Sequence, residues 1–445
     1  MTNPRQTFSG GFSRRAFLGL GVGAVSAAAL SACGAGGTAP ATGGAGSASG
    51  AGGGALTVLC EAGGQAELTP VADAFTKETG TKITFVALPY DGLYNRFNTE
   101  LSAGTPSFDI GAMDAIWLPT FAGKLTPLDD MFTDQVKADL FPSLLTEGQI
   151  NGKYMGMPVW ANAEIIFYRT DLFEDSKEKS NFKSKYGYEL AAPTTWKQFD
   201  DIAQFFTRGS KLYGTDVKGA VETEWLAAVV QAGAAGPVLD PSGKVIIDDA
   251  AHVAALDFYS NLNNTLKVAP PGAVQVDWAA AQNLFNQGKT AMTRFWAHAY
   301  RQIPKDAPVY GKVGAAPMIA GSAGVGAIPG PWYLSLPSSG AKADQAKKFI
   351  QYAYDHNDLS IESDLGLAAR KSAFAKYQDQ KGYESFKPLI ATLDGPATKP
   401  RPATPKWQQI VDTVLVPTIQ ASLKQGANYQ ALLTAARAKV ESLVS

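Results

Sequence analysis

The sequence predicts an α/β fold of two lobes, each a mainly parallel sheet flanked by helices. Three observations carry that expectation. Short apolar runs bounded by turn residues alternate with helical stretches in both halves, as in sheets whose strands are joined by crossover helices. About 390 residues are able to fold, more than one hydrophobic core comfortably serves. Residues 151–173 then read as a passage between two bodies: Asn151-Gly152 is a turn signal, extended runs follow at 153–159 and 165–168, and the step between them carries Trp160, Asn162 and Glu164.

Taken in order, the chain opens with Ser13-Arg14-Arg15-Ala16-Phe17-Leu18, an apolar run over 16–30, and Leu30-Ser31-Ala32-Cys33. Basic residues before an apolar stretch make a targeting signal, and the paired arginines with Phe-Leu resemble the twin-arginine export motif. The run is too short and too rich in Gly and Ala for a membrane-spanning helix of about 20 residues. Leu30-Ser31-Ala32-Cys33 resembles the lipobox of bacterial lipoproteins, whose cysteine is acylated and becomes the mature N-terminus. Acyl chains on Cys33 would anchor the protein at about 0.8 kcal/mol per buried CH₂. Residues 1–33 thus read as a lipoprotein signal. Residues 34–54, built only of Gly, Ala, Thr, Ser and Pro, read as a flexible tether.

In the folded part, strands are expected at 56–60, 83–88 and 108–112, with helices ending at Gly80 and spanning 94–101. The Lys-rich run 175–185 reads as a solvated loop. Helices follow from Trp196, over 222–233, 250–262 and 278–285, with strands at 244–247 and 289–294. Residues 311–318 begin a return crossing that leads through 320–330 to a strand at 331–336. A helix over 343–354 and a final pair over about 405–424 and 429–443 complete the chain.

Composition excludes several classes. Net charge is −1, from 39 basic and 40 acidic residues, which offers nucleic acid no electrostatic handle. Of the two cysteines, Cys33 belongs to the lipobox and Cys60 stands alone, so no disulfide is expected in the mature monomer. His252, His298 and His356 lack the paired spacing of a zinc site, and no metal or other cofactor is expected. Gly288-Lys289-Thr290 lacks the first glycine of a phosphate loop, with Asn at 283.

The segment from Gly152 to Phe173 resembles the Gly-Lys-x-Tyr-Gly-x-Pro to Asp-Leu-Phe stretch of bacterial extracellular solute-binding proteins, the carbohydrate-type receptors of ABC importers. Asn286-Gln287-Gly288-Lys289-Thr290-Ala291-Met292, Ala346 with Phe349, Leu367-Ala368-Ala369-Arg370-Lys371-Ser372, and Pro400-Arg401-Pro402 with Trp407 resemble further family stretches in the same order. The likeness implies the two-lobed periplasmic-binding-protein fold of type II, like that of maltose-binding protein. One lobe would comprise 55–162 plus 317–355, the other 163–316 plus 356–445. It also implies an extracytoplasmic monomer, not an enzyme, that closes on a sugar or oligosaccharide and docks on the permease subunits of an importer. Family members often carry Gly-Asp before the Trp at 296 and Gly-Gly before that at 332. Here Arg294-Phe295 and Gly330-Pro331 stand there.

A sugar shows a C–H face that packs on an indole, and hydroxyls that need a few oriented carboxylate, amide or guanidinium partners. With 8 tryptophans and 16 tyrosines the chain has rings to spare for such a surface. Candidates are Trp160, Trp225, Trp278, Trp296, Trp332 and Trp407, each beside a turn residue or helix start, core packing being the alternative for each. Polar candidates are Gln65, Asp114, Asn162, Glu164, Glu224 and Arg370, with Tyr90 and Gly330 beside them. Trp117 and Trp196 are assigned to packing. A glycosidase would also carry acidic and aromatic residues in a cleft. A receptor for a polyamine, peptide or phosphate ester would share the fold.

Overall fold

The structure, a computed structural model, describes residues 54–445. The twin-arginine motif, Cys33 and nearly all of the tether lie outside the described residues. The chain begins with strand β1 (Ala55–Glu61), helix α1 (Gln65–Thr79), β2 (Lys82–Leu88), α2 (Tyr90–Ala103) and β3 (Ile110–Asp114). Gly80 and Gly104 end the two helices in left-handed conformation, the backbone region where glycine costs least. β1 pairs in parallel with β2 and with β3, as the strand–helix alternation predicts.

Asn151 and Gly152 both adopt positive φ, 52° and 76°, in a tight turn that pairs Ile150 with Lys153. The chain then enters β4 (Met157–Trp160), makes the short step 161–163, and continues as β5 (Glu164–Arg169) in a different sheet. β6 (Met292–Trp296) and β7 (Val313–Ala316) flank β5, and β8 (Trp332–Ser335) returns to the first sheet between β3 and β4. The order is therefore β2-β1-β3-β8-β4 in one sheet and β6-β5-β7 in the other.

The two-lobed α/β expectation holds, with one correction. The first sheet is parallel apart from β8, but β5 runs antiparallel to both β6 and β7. Direction of travel explains this. β5 enters its sheet from the crossing, whereas β6 runs back to end opposite Glu164 and β7 heads out toward the return crossing.

Three further local expectations change. Residues 176–186 form helix α3 (Ser176–Tyr186), because Asp175 caps the amides of Lys177 and Glu178, Phe182 is buried, and Gly187 closes the helix at φ 81°. The expected strand at 244–247 is reduced to a single bridge between Leu239 and Val245 around a turn at Gly243. The helix expected over 405–424 contains one widened π turn, Val411–Leu415, just before Pro417. Proline has no N–H to give to the preceding turn, and the wider turn accommodates that loss.

Helices α4 (Thr223–Gln231), α5 (Ala250–Asn264), α6 (Trp278–Asn286), α7 (Ala343–Asp355) and α8 (Tyr429–Val444) complete the frame. Phe75 of α1 meets Phe349 of α7 edge-on at 5.2 Å, sealing the first lobe. Residues 357–377, which the resemblance assigns to the second lobe, pack on the first. Arg370 Nε lies 2.7 Å from Asp139, Phe374 meets Phe141 at 6.0 Å, and the Leu367 amide donates to Glu67 at 3.4 Å.

Candidate functional site

The carboxyl ends of the parallel strands and the start of the reversed strand fall on one line. Asp114 closes β3, Trp160 closes β4, and Trp332 opens β8 in register with both. Across the step, Glu164 opens β5 opposite Trp296, which closes β6. Ligands of open α/β sheets collect beyond such ends. Here a cavity of about 700 Å³ lies there, between the two sheets.

Rings form much of its wall. Trp160 and Trp332 stack at 5.5 Å with 30° between planes, and Tyr90 meets Trp332 at 6.2 Å. On the other side Trp278 and Trp296 meet at 6.0 Å, and Trp278 is 37% exposed. Gly330 makes the second pair possible. A Cβ there would come within 2.8 Å of the Trp296 ring, so only glycine lets the indole lie against the backbone.

The polar groups differ in freedom. Asp114 is fully engaged: it accepts from Tyr90 OH at 2.9 Å, from Arg401 Nη2 at 2.9 Å and from the Ile116 amide at 3.2 Å. Arg401 also faces Glu147 at 3.9 Å. Burial pushes Glu147 up to about 8, against the pull of Arg401. Asn162 is fixed because its Oδ1 accepts from the Ala163 amide, so its Nδ2 donates to His298 Nδ1 at 2.9 Å. The proton of His298 therefore sits on Nε2, leaving a neutral donor at the cavity wall. Burial holds that imidazole down at about 4, so it stays uncharged across the physiological range.

Glu61, Glu222 and Asp412 also line the cavity, with Gln282, Gln302 and Gln408. Burial and the charge of Asp114 push Glu61 up to about 7. Glu222, 6% exposed, is raised by burial, with Asp114 and Asp412 adding to the effect against the pull of its own amide and Arg401. Asp412 stands on the π turn and accepts from Gln408 at 3.0 Å.

The sequence-predicted residues thus divide. Tyr90, Asp114, Trp160, Asn162, Trp278, Trp296, Gly330 and Trp332 line the cavity. Six others do not. Gln65 turns back to accept from the Gly63 amide at 2.7 Å. Arg370 pairs with Asp139 and donates to the Asp355 carbonyl at 2.7 Å. Trp225 and Trp407 are 0% and 1% exposed, so both rings are core.

Glu164 and Glu224 belong to a buried charge network behind the cavity. Lys218 reaches Asp216 at 2.6 Å, contacts Glu224, and donates to the Arg294 carbonyl at 2.8 Å. Arg294 lies 3.0 Å from Glu224, with its guanidinium 5.2 Å from the rings of Phe199 and Tyr259. This accounts for Arg294 and Phe295 preceding Trp296: the arginine points away from the cavity. Glu164, 1% exposed, accepts from Thr223 Oγ1 at 3.0 Å. Burial and Glu224 together push Glu164 up to about 8. With Glu164 protonated, two cations balance Asp216 and Glu224.

Sequence reasoning missed Glu222, His298, Arg401 and Asp412 as wall residues. Arg401 lies in a matched stretch, Pro400-Arg401-Pro402, so that signal was present. Glu222 lies two positions from Glu224, and only the helix phase separates them. Among the described residues, no cluster of three or more His, Cys, Asp or Glu is placed to hold a metal ion. No helix among them is long and apolar enough to cross a membrane.

Comparisons with known proteins agree with this geometry. The family model for bacterial extracellular solute-binding proteins matches residues 61–357. A probable ABC transporter-binding protein of Deinococcus radiodurans is 28% identical over 316 residues, 67% of this chain and 71% of that protein. The mannitol-binding protein of Pseudomonas aeruginosa is 25% identical over 287 residues, 61% of this chain and 62% of that protein. Among solved structures, a ribitol-bound ABC transporter solute-binding protein from Agrobacterium radiobacter K84 superposes with TM-score 0.70. It is 25% identical, covering 88% of this chain and 99% of its own. Maltose-bound MalE3 of T. maritima, 24% identical, shares the fold with TM-score 0.72 over 87% of this chain and 99% of its own.

Proposed function

The chain belongs to the bacterial extracellular solute-binding proteins, and on that premise we propose that it captures a sugar or polyol outside the cytoplasm for an ABC importer. One observation carries the ligand class: a 700 Å³ cavity between the sheets pairs two sets of indoles with carboxylate, amide and imidazole groups. Indole faces suit C–H faces, and the fixed Nε2–H of His298 with the amides of Gln282 and Gln302 suits hydroxyls. The ribitol-bound solute-binding protein and the mannitol-binding protein described above support the same class.

Capture works by closure. The ligand touches walls on both lobes, so its binding energy draws the lobes together about the crossings near 161–163 and 317–331. The closed form then docks on the permease, while a lipid on Cys33 holds the monomer at the membrane face. The protein binds without cleaving: no transformation of the ligand is expected. A thermal-shift screen of the purified protein against monosaccharides, oligosaccharides and polyols tests the reading. Ligand at 100 times its Kd adds about 2.7 kcal/mol of stability. Absence of any shift across the panel would count against it.

A further inference from the structure

The cavity holds more carboxyl groups than its own cations can pair. Glu61, Asp114, Glu222 and Asp412 all line it, and Arg401 is the only guanidinium or ammonium group among its described lining residues. Arg401 is already committed to Asp114 at 2.9 Å, with Glu147 behind it at 3.9 Å. Tyr90 donates to that same Asp114 and adds no charge. His298 cannot help, since its Nδ1 accepts from Asn162 and the ring stays neutral.

Glu61, Glu222 and Asp412 therefore face the cavity with no ion pair of their own among the described residues, Arg401 acting on Glu222 only at a distance. Glu222 is the most telling: its residue is 6% exposed, it lines the cavity, and among the described residues no other side chain donates to it, its own amide being its one close donor. A buried carboxylate in that state is costly unless something pairs with it. Burial first, and the charge of Asp114 after it, raise the proton affinity of both Glu61 and Glu222. A neutral hydroxyl donates a hydrogen bond to such a carboxylate but leaves it without a cationic partner. An ammonium group would pair with it, and the adjacent rings of Tyr90, Trp160 and Trp332 favour a cation as well.

We propose that the ligand is a hydroxylated amine, an amino sugar or amino-polyol, whose ammonium group sits against Glu222, with Glu61 and Asp412 nearby. The hydroxyls are part of the inference: a bare polyamine would leave the amides of Gln282 and Gln302 and the Nε2–H of His298 without acceptors. This rests on the sugar- or polyol-binding reading above and narrows it to a cationic member of that class.

Isothermal titration with matched pairs tests it: glucose and glucosamine, galactose and galactosamine, mannose and mannosamine, sorbitol and 1-amino-1-deoxysorbitol, at pH 6.5. The best-bound amine is expected to bind tenfold or more tighter than its neutral partner, the scale of about one charge-assisted hydrogen bond. Its binding should release protons, read as a heat that depends on the buffer's ionisation enthalpy, because the ammonium ion lowers the proton affinity of Glu61 and Glu222. Glu222→Gln should erase the preference, and the exposed Asp412→Asn should reduce it in a variant whose fold is not in question. Neutral members binding as well as the amines would overturn the inference and leave sugar or polyol capture standing. An amine preference untouched by both substitutions would also overturn it. Failure of every compound in both series would overturn the parent reading along with this one.

Discussion

Replacing Glu164 by Gln separates a buried structural carboxylate from a ligand contact, and the structure sets the expected size of the effect. Glu164 holds its proton up to about pH 8, whereas the unfolded chain releases it near 4.5. Between those values the folded state binds more protons, so stability falls as pH rises through the window. Each pH unit of that window removes about 1.4 kcal/mol. Full passage would remove roughly 4–5 kcal/mol, and relaxation with Lys218 and Arg294 at hand brings this to on the order of 2–3 kcal/mol. Gln copies the protonated form and keeps an oxygen for Thr223 Oγ1. Below about pH 4.5 the group is neutral in both folded and unfolded chains, so the two proteins should be equally stable there to within about 1 kcal/mol, and by pH 6 the variant should already lead by about 1 kcal/mol. At pH 9 the variant should be the more stable by the 2–3 kcal/mol computed above. Glu67 and Glu147, also raised to about 8, titrate in both proteins and cancel in the comparison. Urea denaturation of both at half-unit steps from pH 4 to 9 reads the difference. Parallel stability curves would refute the assignment. Ligand affinity should move less than threefold, since Glu164 does not line the cavity; a tenfold loss would return it to the site.

Four other outcomes follow. Trp225→Ala and Trp407→Ala should each lower stability by about 3–5 kcal/mol, the cost of a cavity in a packed core, measured by denaturant melts. Gly330→Ala should push the Trp296 indole off its place and weaken binding about tenfold with little change in melting temperature, because the added Cβ meets a ring at a cavity wall. Stability should rise with pH from about 4 to 6.5 by the share of His298, whose folded state refuses a proton that the unfolded chain accepts; His298→Gln should flatten that part of the curve. Cys33→Ala should leave the protein unprocessed or move it to the soluble fraction, and a fully processed, membrane-bound variant would rule out acylation there.

Where the sequence was legible, the signals were local. Asn151-Gly152 announced its turn because both residues tolerate positive φ. Trp160, Trp296 and Trp332 were legible because each stands beside a turn residue, and the structure puts all three at strand ends by the cavity. Illegible features depended on side-chain direction or on distant partners. Glu222 and Glu224 are two residues apart at a helix start, and one faces the cavity while the other faces Lys218. Arg370 and Arg401 look alike in sequence, yet only Arg401 meets a carboxylate 287 positions away at the cavity wall. Charge misled at 176–186, where lysines obscured a cap at Asp175 and a stop at Gly187 that together specify a helix. Glu164 sits at the crossing as expected, but β5 and β6 pair so that it faces the buried network.

The central claim is that one solute is held between the two sheets by rings from both. Isothermal titration of wild type and Trp296→Ala, with the best sugar, polyol or amino derivative from the screens, tests it most directly. One site per chain is expected in the wild type and at least about tenfold weaker binding in the variant, the loss of one stacked face, with melting temperature nearly unchanged. Equal affinity in the two proteins would contradict it, as would the absence of binding by any compound of the class.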